Sequence, residues 1–132
     1  MRLAVAWILG LGLLANGLTM LGVPNAWYGL VPGVGQTGPF NPHFVRDIGV
    51  AYLVAGGTLV WFALDRNARP AAQAAAAFLA LHALVHLWDV AAGREHVHQL
   101  LADLPTVFGP PALAAWIAWP PRSHTLTKEE VR

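Results

Sequence analysis

The 132-residue sequence contains no cysteine, which excludes disulfides, thiolate metal centres and thiol redox chemistry. Charge is scarce too. Asp, Glu, Lys and Arg together make up 11% of the chain, where a soluble domain of this size carries about a quarter. A net charge of +1 argues against a nucleic-acid partner. The sequence also lacks a Gly-rich phosphate loop, a nucleophile elbow and a paired-carboxylate motif, so the common signatures of phosphoryl and acyl transfer are missing.

What the chain has is apolar length: 56% of its residues are hydrophobic. Four stretches match the roughly 20 residues, at about 1.5 Å each, that a helix needs to cross a bilayer. They are Leu3–Val23, Phe44–Leu64, Pro70–Ala92 and about His98–Trp119. The sequence therefore predicts an all-α fold, an integral membrane four-helix bundle. It forms a single transmembrane domain over residues 1–132, with 120–132 as a solvated tail. The first stretch has a weak charged start at Arg2 and small residues at Ala15-Asn16-Gly17, as a cleaved signal would. Its hydrophobicity runs on past that point, so it reads as an uncleaved first membrane helix.

Basic residues set the expected orientation. Arg2, Arg66, Arg69, Arg122, Lys128 and Arg132 fall on one side of the four spans, and only Arg46 and Arg94 on the other. By the positive-inside rule both termini are cytoplasmic, which implies a multi-pass protein of a bacterial inner membrane. Trp7, Trp61, Trp116 and Trp119 sit near the inner interface, and Trp27 and Trp88 near the outer one.

Ionisable groups at membrane depth are costly and mark functional paths. His82-Ala-Leu-Val-His86-Leu-Trp88-Asp89 places two imidazoles and a carboxylate at i, i+4 and i+7, on one helical face. On the second stretch His43, Asp47, Val50, Val54 and Trp61 share a face, with Arg46 beside them. Glu95, His96, His98 and Asp103 surround the start of the fourth, and His96 and Asp103 share a face if that helix begins near Glu95. Five of six histidines thus lie in the outer half; the sixth, His124, is in the tail.

Imidazoles at i, i+4 form a bidentate clamp for a divalent transition metal, Cu or Zn. His82 and His86 are the expected teeth, with a third ligand from His43, His96, His98 or Asp89. Arg46, Asp47, Trp88 and Asp103 complete a polar pocket. In a helix His96 and His98 point about 160° apart. Haem is disfavoured, because His82 and His86 project the same way and cannot bind opposite faces of one ring. The plainer alternative is that these groups satisfy one another as interhelical glue, Arg46 with Asp89 or Asp47.

The connections differ in character. Pro24–Pro42 is too rich in Pro and Gly for regular helix, and its Trp27, Tyr28 and Phe40 suit a membrane-surface lid or anchor. Asp65–Pro70 is a tight turn with Pro70 opening the third helix. Ala72, Ala76 and Ala80 recur at helical spacing and predict a central, closely packed third helix. Gly10, Gly12, Gly17, Gly56 and Gly57 suggest matching close contacts, while Leu14 is expected to face lipid. Pro110-Pro111 must kink the fourth helix or end a half-helix.

The stretch Phe44-Val45-Arg46-Asp47-Ile48-Gly49-Val50-Ala51-Tyr52-Leu53-Val54-Ala55-Gly56-Gly57 resembles the Arg-x-x-Gly…Leu…Gly opening of helix two in DoxX-like bacterial membrane proteins. The resemblance implies a four-helix membrane bundle and leaves the activity open. That family includes subunits linked to quinone-dependent sulfur and respiratory oxidation, and no ligand residue is carried over from it. Three functions follow as expectations. The first is a metal-binding or redox-linked membrane protein. The second is an accessory subunit packing against other membrane subunits or its own copies. The third is a quinone- or proton-linked enzyme subunit.

Overall fold

The computed structural model describes residues 1–36 and 38–119. The tail expected at 120–132, with Arg122, His124, Lys128 and Arg132, lies outside the described residues. The chain is all-α, and among the described residues four helical segments are long and apolar enough to cross a membrane: Arg2–Gly22, Pro42–Leu64, Arg66–Ala91 and Val97–Ala118. We name the helices α1 (Arg2–Gly22), α2 (Pro24–Leu30), α3 (Pro42–Leu64), α4 (Arg69–Ala91), α5 (Val97–Asp103) and α6 (Gly109–Ala118).

The tightest packing in the bundle is between α1 and α3, and glycine permits it. Gly10 faces the Gly56 carbonyl, and Gly17 faces that of Gly49. A Cβ built on Gly56 would lie 2.7 Å from the Gly10 oxygen, and one on Gly17 would lie 2.7 Å from the Gly49 oxygen. The obstacle in each case is backbone, which cannot swing aside. Membrane helices lack a hydrophobic drive between them, so close backbone approach supplies the contact. Gly12 and Gly57, expected to share in this packing, face open space. Leu14, expected against lipid, instead packs on Gly56.

α4 packs against α6 and α3 through Ala72, Ala75, Ala76, Leu79 and Ala83, all buried. Ala80 is exposed, so the expected Ala72–Ala76–Ala80 stripe is corrected to one that turns toward Leu79 and Ala83. The reason is pitch: steps of three and four alternate along a 3.6-residue helix, and a run of fours drifts off the face. With Leu13, Ala55, Leu59, Phe62 and Ile117, the α4 residues Ala72, Ala75, Ala76 and Leu79 form the apolar core, weighted toward the end of the bundle that carries Arg2.

One expectation about proline needs correction, and another is narrowed. Pro24–Leu30 is helical, because Pro24 stands at the first position, where its fixed φ fits and no N–H is needed. That short helix is docked by Trp27, whose Nε1 donates to Asn16 Oδ1 at 2.9 Å. Tyr28 packs on Phe40 with ring centroids 5.1 Å apart, and its hydroxyl donates to the Gly38 carbonyl. Of the two alternatives for Pro110-Pro111, a kink or the end of a half-helix, the span takes an irregular turn just before the prolines and continues. A π-helical turn over Leu104–Phe108 joins α5 to α6 in one path. Pro105 and Pro110 both lack the donor that an unbroken α ladder would demand here, and the wider turn takes up the mismatch. The Gly109 N–H closes it on the Leu104 carbonyl.

Candidate functional site

At the end of the bundle opposite Arg2, α4 stops at a glycine turn that delivers an acid to its own last turns. Gly93 takes a φ of +71°, its N–H bonds the Val90 carbonyl at 3.0 Å, and the Arg94 N–H bonds the Asp89 carbonyl at 2.8 Å. This is the Schellman arrangement, in which a left-handed residue reverses the chain over the final carbonyls. Glu95 follows directly and is carried back toward His86.

Three side chains converge there. His86, Glu95 and Asp103 each offer a ligand atom, and these atoms all lie within 4.8 Å of one another. His86 Nδ1 is 2.9 Å from Asp103 Oδ2, joining α4 to α5. Gln99, one turn before Asp103, donates from Nε2 to its other oxygen at 3.1 Å. Asp103 is the one buried charged residue of the described chain, with 6% of its surface exposed. Glu95 Oε2 is buried as well and has no hydrogen-bond partner. Above the group, a Cβ on Gly33 would touch Gln99 Nε2, so the connection after α2 lies over the site.

Two carboxylates this close repel if both are ionised, and a buried unpaired charge is heavily penalised. A cation or a shared proton placed between the three groups would relieve that repulsion.

The sequence-predicted residues are distributed as follows. His82 lies one turn from His86 but sits in an aromatic stack, its ring 6.3 Å from Phe78, 5.9 Å from Tyr52 and 5.1 Å from His86. It supports the His86 ring and is not in the three-ligand group. Asp89 instead pairs with Arg94 at 2.9 Å. His43 pairs with Asp47 at 3.4 Å on the outward face of α3, where both are exposed. That face packs away from the bundle because the glycine face of α3 is taken by α1. Arg46 donates to the Leu21 carbonyl at 3.3 Å, tying α3 to the end of α1 and to neither Asp89 nor Asp47.

His96 is extended at the start of α5 and is not part of it, so the two-turn face expected with Asp103 does not form. For the same reason His96 and His98 do not diverge; their exposed rings stack at 5.4 Å. Trp88 belongs to an outward apolar face with Leu81, Leu84, Val85 and Leu87, not to the polar pocket. Gln99 is a site residue that sequence reasoning left out, and Glu95 figures there among the polar groups but not as a ligand. The available signal was Gly93, a helix-ending glycine two residues before an acid. Comparison with protein-family models, curated proteins and solved structures gives no match.

Proposed function

We propose that the chain is a small bacterial inner-membrane protein that holds a divalent transition metal at its extracytoplasmic face, through His86, Glu95 and Asp103. The observation that carries this reading is the buried, unpartnered Glu95 Oε2 beside a buried Asp103. A cation meets both demands. One imidazole with two carboxylates suits Zn, Mn or Fe(II) rather than Cu(I), which favours thiolates and thioethers. Three protein ligands on Zn would leave a position open for water or substrate. In a tetrahedral Zn site with bonds of about 2.0–2.2 Å the ligand atoms stand about 3.3–3.6 Å apart, so binding would draw these side chains closer together.

The orientation rests on Arg2, Arg66 and Arg69 at one end against Arg46 and Arg94 at the other. Bilayer lipid then covers the outward α4 face around Trp88. The DoxX-like resemblance is compatible with this reading: Arg46, Gly49 and Gly56, three residues that carry it, all serve the α1–α3 contact. A second reading, a proton-linked site, is favoured by the His82–His86–Asp103 series, in which each group adjoins the next.

Elemental analysis of protein purified without chelator, with its absorption spectrum, tests the proposal. About one metal ion per chain and no haem band is the expected result. Protein that stays metal-free when offered Zn, Mn and Fe(II) would reject metal binding and leave the proton-linked reading.

A further inference from the structure

The opposite end of the bundle holds a second concentration of charge. Arg2, Arg66 and Arg69 line one cavity of about 200 Å³ together with Phe62 and Ile117. The start of α1, the end of α3, the turn into α4 and the end of α6 meet there. Among the described residues no carboxylate pairs with any of the three arginines. The nearest acid in sequence, Asp65, uses Oδ1 to cap the turn by accepting from the Asn67 N–H at 2.9 Å.

Two of the guanidinium groups are held by rings. Arg2 Cζ lies 5.1 Å from the Trp116 ring centroid, and Arg69 Cζ lies 5.9 Å from that of Phe62. A guanidinium attracted to a ring in this way still has N–H donors to offer a ligand. Positive charge on the cytoplasmic flank would by itself account for arginines scattered along the connections. It does not account for three of them around one recess. At about 30 Å³ per water the recess takes roughly six or seven waters, enough for a phosphate group and too little for a peptide segment.

We propose that this cavity binds the phosphate headgroup of an anionic glycerophospholipid. An anion suits the cavity, since among the described residues three cations meet there without a paired carboxylate. It must reach the cavity at the membrane interface, which the exposed Trp61 and Trp119 mark at this end of the bundle. Basic pockets between membrane helices bind acidic headgroups by this combination of fixed charge and bidentate donors.

Detergent-purified protein titrated with phosphatidylglycerol, phosphatidylethanolamine and inorganic phosphate provides the test, read by thermal unfolding and native mass spectrometry. Phosphatidylglycerol is expected to raise the Tm and stay bound at a defined stoichiometry, while phosphatidylethanolamine does neither. Arg2→Gln and Arg66→Gln should each weaken phosphatidylglycerol binding about fivefold, with helicity unchanged. Arg66 makes no ring contact of the kind that holds Arg2 and Arg69, so its variant separates lost binding from lost packing. Equal binding of the two lipids, or full affinity in the Arg2→Gln, Arg66→Gln double variant, would overturn the proposal. Saturation by inorganic phosphate at the same concentration would overturn the lipid as the ligand.

Discussion

His86 Nδ1 stands 2.9 Å from Asp103 Oδ2, across 17 residues of sequence and between two helices. The contact does two jobs that mutation can separate. Asp103→Ala leaves His86 without its partner at the bundle interface, and the expected loss of stability is about 1–2 kcal/mol, in line with interhelical polar contacts in membranes. Asp103→Asn keeps a hydrogen-bonding group in place but removes the charge. Compared as metal-free protein it should unfold near the wild-type temperature, and under the proposed metal site it should bind metal more weakly. Thermal unfolding and elemental analysis on the same preparations distinguish the two effects; equal loss of stability in both variants would mean that the carboxylate is needed for folding itself.

The α1–α3 seam gives a sharper stability contrast. Gly56→Ala drives a methyl to 2.7 Å from the Gly10 oxygen, and forcing the helices apart should cost about 1–3 kcal/mol. Gly57→Ala meets nothing and replaces glycine by a better helix former, so it should be neutral or stabilising by up to about 1 kcal/mol. The pair differs by one position in sequence. Melting temperatures in one detergent compare them directly.

Orientation can be read chemically, because the native chain has no cysteine to confuse the result. Single cysteines at Gly35 and Asn67 lie in connections at opposite ends of the bundle. A membrane-impermeant thiol reagent applied to intact cells should label Gly35→Cys and spare Asn67→Cys until the membrane is opened. The reverse pattern would place the His86 site in the cytoplasm.

Much of the fold was legible in the sequence, and the reasons are specific. Apolar runs bounded by Pro42 and Asp65, or by Pro70 and Gly93, mark helix ends to within two residues, because hydropathy and helix breakers are local properties. The partner choice within each run was not. Gly12 and Gly57 look as suitable as Gly10 and Gly56, and only the crossing of α1 on α3 decides which pair meets. The site shows the same division. His86 and Asp103 stand out as polar groups in apolar helices, so composition finds them. Glu95 sits in a connection, where acids are ordinary, and it becomes notable only after Gly93 folds it back and buries Oε2. His82 misled for the opposite reason: i, i+4 spacing sets two rings on one face but does not say that Phe78 and Tyr52 will hold one of them.

That distinction between Glu95 and His82 allows the most direct test of the metal-site account. Equilibrium dialysis of wild type, Glu95→Gln and His82→Ala against Zn, at neutral and at acid pH, reads it. One saturable equivalent is expected for wild type, weakened at least tenfold in Glu95→Gln and little changed in His82→Ala. Acidification should release the metal, since a protonated imidazole and protonated carboxylates cannot ligate. Stability contributed by the metal is therefore present at neutral pH and lost as pH falls. Loss of Zn in His82→Ala with full binding in Glu95→Gln would contradict the His86–Glu95–Asp103 site.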